Sequence, residues 1–227
     1  MSYTKIKNDL ANGFKLASES KGASKATEHS FKAEFNKRTH SSEWSHHANA
    51  QQGKKAITVD QAQRLAKYAP IIQECAKKYN VPVALVCGVI LQESGGNAKA
   101  SSPAGAKGLM QLMPQTGFMV AKTINMHLRN HSDILDINNN VKLGSKYLQL
   151  MLDRYKNLVV ATAAYNAGPG RVQKWLPNYD ISADIWIETI PFKDTREYVQ
   201  NVMTNTVIYQ KLLGMNHYLN MPLIKKM

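Results

Sequence analysis

The chain has 227 residues, 44% of them hydrophobic, enough for one sizeable globular core plus an extension without covalent staples. Its 29 basic residues against 16 acidic ones give a net charge of +13, which points to polyanionic partners: nucleic acid, anionic lipid or the anionic polymers of a bacterial envelope. Only two cysteines occur, which excludes a disulfide scaffold, and no apolar run approaches the roughly 18 residues that would cross a bilayer.

The N-terminal 56 residues differ from the rest. They hold ten Lys or Arg against five Asp or Glu, four of the seven histidines and no proline. Ile6, Leu10, Phe14 and Ala17 recur at helical spacing and Phe31 pairs with Phe35, so the segment reads as a basic extension, either flexible or made of short amphipathic helices. His46 and His47 are adjacent and do not share a helix face, which argues against a metal site. The first twenty residues, with Lys5 and Lys7 but no continuous apolar stretch or cleavage site, do not read as a secretory signal.

From residue 57 onward the pattern is helical. Asp60 is placed to cap a helix through Tyr68, and Pro70 suits the first turn of another ending at Tyr79. After the Asn80-Val-Pro82 turn comes Val83–Leu91, apolar on every face and therefore a core helix. Cys75 and Cys87 fall in these apolar patterns and are expected as buried free thiols. Glu93 stands where the core helix stops at Gly95 and Gly96. There the negative end of the helix dipole and apolar packing both favour its protonated form, which suits a general acid. The alternative is a solvated glutamate at a helix end. A Gly/Ser/Pro-rich loop from Gly95 to Gly108 follows, then a helix opened by Pro114. Asp133, Asp136, Asn138, Asn139 and Asn140 lack the alternation and closing glutamate of a calcium loop, so capping of the next helix, Val141 to Tyr155, is the expected use. A final helix spans about Thr195 to Leu213. Without useful β-alternation or repeats, the fold class is all-α.

Two further stretches place isolated polar side chains in apolar settings: Gln111 inside Leu109–Pro114, and Tyr165 with Asn166 before the Gly168-Pro-Gly170 turn. Such groups either find partners within the protein or line a ligand groove. Taken in order, Glu93-Ser94, Gly108-Leu-Met-Gln-Leu-Met-Pro114, Ala164-Tyr-Asn-Ala-Gly168 and Ile187-Glu-Thr-Ile-Pro-Phe192 followed by Thr195-Arg-Glu-Tyr198 resemble the catalytic domain of the soluble lytic transglycosylases, in the lysozyme-like superfamily. The resemblance covers roughly residues 65 to 214.

It implies a lysozyme-like helical lobe with a substrate cleft over residues 57–227, beside the basic extension of residues 1–56. It implies Glu93 as the single catalytic acid and base, with Tyr165 hydrogen-bonded to the carboxyl to orient it. Ser102, Gln111, Met113 and Asn166 would line the groove for N-acetylglucosamine and N-acetylmuramic acid, Glu188 would stand at its edge, and Tyr198 would pack the last helix on the core. The implied reaction cuts peptidoglycan glycan strands to 1,6-anhydromuramic ends, with no metal, no organic cofactor and no nucleic acid, by a monomer. A hydrolytic muramidase recruiting Glu188 or Asp184 to hold a water, and a non-enzymatic virion or secretion-apparatus component, are the other readings. Synthesis in the cytoplasm and action on the wall from the periplasm or a virion fit a bacteriophage endolysin or virion lysin, with the basic arm approaching an anionic envelope.

Overall fold

A computed structural model describes residues 65–213, 215 and 224. The basic extension, its helical patterns, His46, His47 and the Asp60 cap lie outside the described residues. Every regular element among the described residues is a helix, in agreement with the all-α expectation, and the remaining pairings are the isolated bridges Ser101–Lys107, Lys107–Leu112 and Ile181–Ile224. Among the described residues no helix is long and apolar enough to cross a membrane.

Helix α1, Ala69–Tyr79, has proline in its first turn and ends at Asn80, whose left-handed backbone (φ 52°) lets its N–H reach back to the last turn. Lys77 and Lys78 lie in that turn, where the helix dipole favours positive charge. Helix α2, Val83–Ser94, is the expected core helix: every residue from Ala84 to Leu91 is buried. It stops at Gly95, also left-handed (φ 58°), a conformation a side chain would strain. Cys75 on α1 and Cys87 on α2 are buried free thiols, as expected. Burial pushes the Cys75 thiol up to about 11 and Cys87 higher still, so neither offers a thiolate near neutral pH.

Helix α3, Pro114–Thr123, leads to a 3-10 turn, His131–Leu135, and then to α4, Ile137–Tyr155. The start of α4 precedes the expected one by four residues because the Asp136 carboxylate accepts the Asn139 N–H and caps the helix there. Asn157 caps α5, Leu158–Ala167, by accepting from the Val159 and Val160 N–H groups. Helix α6 is the single turn Pro169–Val172 and α7 is Ala183–Thr189. None of these three was evident from periodicity. The last two are too short to show a stripe. Helix α8, Lys193–Leu212, is the expected final helix.

The core forms around α2. Helix α8 lies against it through Tyr198, Val199, Val202, Thr206 and Tyr209, all buried. The two backbones approach closely at Gly88: a Cβ there would lie 2.5 Å from Thr206 Oγ1 and 3.0 Å from the Val202 carbonyl oxygen. No rotamer relieves a clash with backbone. Gly88→Ala is therefore expected to push α8 off α2 and lower stability by about 1–3 kcal/mol, read as a lower denaturant midpoint with an unchanged slope.

Candidate active site

The α2–α8 contact positions the chemistry. Glu93 occupies the last turn of α2, partly buried, and Tyr198 projects from the first half of α8, where its hydroxyl donates to Glu93 Oε1 at 2.6 Å. A buried tyrosine keeps its ring in the core and needs a partner for its hydroxyl, and here the partner is the carboxyl. Burial is the dominant influence on Glu93 and raises its pKa from 4.5 to about 7, while the Tyr198 hydrogen bond acts in the opposite direction. The carboxyl thus stands poised between donating and accepting a proton near neutral pH. Glu93 in turn raises the Tyr198 phenol well above the usual tyrosine range, second to burial itself, so the phenol stays protonated and remains a donor.

Tyr165 does not make the bond assigned to it. Its hydroxyl donates to the Met110 carbonyl at 2.9 Å, while its ring lies 5.2 Å from Tyr147. Burial first, and then the Glu93 charge, raise its phenol, so it adjoins the carboxyl without bonding it. The 107–112 segment presents the Met110 carbonyl to that hydroxyl and takes up its one proton. Tyr198, expected only to pack, takes the orienting place. Its sequence signal was partial: it begins the Tyr198, Val202, Tyr209 stripe on the face of α8 that meets α2, but the buried Tyr209 hydroxyl of the same stripe has no hydrogen-bond partner among the described residues, so the stripe alone does not single out the phenol that meets the carboxyl.

The loop after α2 is tied back by Ser94, whose hydroxyl donates to the Leu109 carbonyl at 2.8 Å and accepts the Gly96 N–H. Gln111 has a left-handed backbone (φ 43°) and spends its amide hydrogens inside the protein, on the Ala100 carbonyl at 3.1 Å and the Gly108 carbonyl at 2.9 Å. Of the two uses open to it from sequence, internal satisfaction is the one seen for these donors. Ser102 Oγ likewise accepts the Ala106 N–H at 3.0 Å. Met113, just before α3, is 42% exposed. Asn166 is exposed at the end of α5, its Oδ1 accepting from Thr195 Oγ1 at 2.9 Å, which ties α5 to the start of α8. Glu188 on α7 is exposed and accepts from Gln200. Asp184, at the start of α7, is held below the usual carboxylate range first by a hydrogen bond with Ser182. Among the described residues, no carboxylate contributes to the shift of Glu93, and no group of three or more His, Cys, Asp or Glu is placed to hold a metal.

A helical fold that holds one carboxyl proton-bearing near neutrality, braced by a phenol and by a loop folded back on the helix end, is equipped for acid–base chemistry. The chain belongs to the Transglycosylase SLT domain family, whose model matches residues 70–186; the soluble lytic transglycosylase helical domain matches residues 189–217. It is 36% identical over 151 residues to the soluble lytic murein transglycosylase of Escherichia coli K12, covering 65% of this chain and 23% of that protein. It is also 37% identical over 97 residues to a transglycosylase of Enterobacteria phage PRD1, covering 43% of this chain and 33% of that one. Among solved structures, an inactive Glu-to-Gln mutant of the lytic transglycosylase Slt from Pseudomonas aeruginosa superposes with a TM-score of 0.70 at 31% identity, covering 79% of this chain and 30% of that one. The chain thus spans a third or less of each of these relatives.

Two outcomes are expected at this site. Native Glu93 holds its proton more tightly than the unfolded chain, so the energetic cost of Glu93 is absent below about pH 4.5, grows as pH rises and is fully present above about pH 7. Glu93→Gln should therefore be more stable than the parent above pH 7, by up to about 3 kcal/mol, with the difference vanishing below pH 4.5; chemical denaturation across pH measures it. Tyr198→Phe removes the one influence that lowers the Glu93 pKa. The basic limb of the activity profile should move to higher pH while the rate falls about tenfold, and a limb that stays in place would show that the phenol does not act on Glu93.

Proposed function

We propose that this domain is a peptidoglycan lytic transglycosylase that cuts the β-1,4 bond between N-acetylmuramic acid and N-acetylglucosamine and leaves a 1,6-anhydromuramic end. The observation that carries this reading is the single carboxyl of Glu93, raised to about 7 and held by Tyr198, in a chain of the Transglycosylase SLT domain family. A hydrolytic glycosidase ordinarily places two carboxylates around the bond. One suffices when the nucleophile belongs to the substrate.

In the proposed sequence the protonated Glu93 gives its proton to the glycosidic oxygen as the bond to the anomeric carbon breaks. The 2-acetamido group of the muramyl residue stabilises the cationic carbon. The Glu93 carboxylate then takes the proton of the muramyl 6-hydroxyl, whose oxygen bonds the anomeric carbon, and the enzyme returns to its starting state with no water consumed. An intramolecular hydroxyl supplies the effective molarity that a bound water otherwise must. Tyr198 orients the carboxyl between the two transfers. Ser102, Gln111, Met113, Asn166 and Glu188 are proposed to contact the glycan, the first two through atoms left over from their internal bonds. No metal or organic cofactor enters the scheme.

The catalytic unit is proposed to be residues 57–227, with the basic residues 1–56 drawing the protein to an anionic envelope. The similarity to a phage transglycosylase supports a place among phage lytic enzymes acting on the wall. Digestion of purified peptidoglycan followed by mass spectrometry of the muropeptides tests the reaction. Anhydro ends from the parent and none from Glu93→Gln are expected; reducing ends alone would make the protein a hydrolytic muramidase instead.

A further inference from the structure

Asn140 is fully buried on α4 and has no part in the scheme above. We infer that Asn140 is a positioning residue, a clamp that fixes the 107–112 segment against α4 so that its carbonyls brace Ser94 and Tyr165 beside Glu93. The inference rests on the proposed role of Glu93 for its kinetic consequence, and on geometry alone for the clamp.

Both polar atoms of the amide are engaged. Its Oδ1 accepts the Met110 N–H at 2.8 Å, and its Nδ2 donates to the carbonyls of Lys107 and Ile134, both at 2.8 Å. No other side-chain type of this size has one acceptor and two donors in a fixed plane. The segment it grips then reaches the site twice. The Leu109 carbonyl receives the Ser94 hydroxyl, one residue from the catalytic carboxyl, and the Met110 carbonyl receives the Tyr165 hydroxyl. Met110 is thus held at its N–H by Asn140 and at its carbonyl oxygen by Tyr165.

Steric fit supports the same reading. Gly108 lies against the Asn140 amide so closely that a Cβ would collide with it, and its backbone is left-handed (φ 77°). One helical turn beyond Asn140, Gly144 leaves room for the Met110 side chain, which a Cβ there would also strike. The face of α4 therefore receives the segment with one residue that grips its backbone and another that makes way for its side chain. The Ile134 bond ties the 3-10 turn into the same clamp.

Among the described residues the titratable group acting on Glu93 is Tyr198 of α8, while the Glu93 charge in turn raises the phenols of Tyr198 and of Tyr165 on α5. Loss of the clamp loosens the Tyr165 and Ser94 side of the site and admits water to the carboxyl, while the α8 side stays in place. The test is Asn140→Ala in the full chain, with Asn140→Ser, which keeps a small uncharged polar group at the site, as the second variant should the first fail to fold. Two quantities are read: kcat and KM on peptidoglycan, and the titration midpoint of the Glu93 carboxyl by carbon-13 NMR, assigned by comparison with Glu93→Gln. Expected are a kcat lowered about 10- to 100-fold with KM little changed, and a midpoint moved down from about 7 towards 4.5. Ile72→Val, a core change on α1, should lower Tm without moving the midpoint. A folded Asn140 variant whose midpoint and kcat match the parent would overturn the inference. Failure of the parent to form anhydro ends would sink the proposed reaction instead, and the NMR midpoint alone would then decide the clamp.

Discussion

The packing of α8 on α2 is the constraint on which the site depends. It places a phenol over the last turn of a helix that is buried along most of its length, so that one carboxyl sits at the border of the core. Gly88 allows the approach, and the Val202 carbonyl and Thr206 define its closeness. Burial drives the carboxyl towards its neutral form, and the Tyr198 hydrogen bond limits how far. These opposing influences leave Glu93 near the point where it can give and take a proton at neutral pH, as an acid that must later act as a base requires.

The rest of the local architecture serves to keep that carboxyl still. Ser94 folds the loop back on α2, Asn140 holds the Met110 N–H and Tyr165 its carbonyl, and Thr195 bonds Asn166 where α5 meets α8. Each of these bonds involves a backbone carbonyl, a backbone N–H or a short side chain, groups with few rotamers to lose. A site built this way is organised before substrate arrives, which is where much of the advantage of an enzyme over free solution lies.

This construction also changes how the family-like motifs are to be understood. The Gly108–Pro114 stretch looks like a run of ligand contacts, yet the Gln111 amide hydrogens and the Met110 N–H and carbonyl are occupied internally. Left-handed backbone at Gly108 and Gln111 bends the segment so that its carbonyls face the helices that carry Glu93 and Tyr165. The motif is first a piece of scaffold, and any contact with glycan uses what the scaffold leaves free.

By itself the sequence determined the helical class, the burial of Ala84–Leu91, the stop after Glu93, a helix cap by Asp136 or a neighbouring Asn, and the final helix, because each is set by near neighbours in the chain. It also determined which carboxyl to examine. Only the tertiary structure decided that Tyr198 and not Tyr165 bonds Glu93, and that Asn140, one of several polar residues around a helix start, is the one buried. These depend on contacts across 105, 55 and 30 residues of chain, and local periodicity carries no record of which carbonyl or carboxyl a distant hydroxyl will meet first.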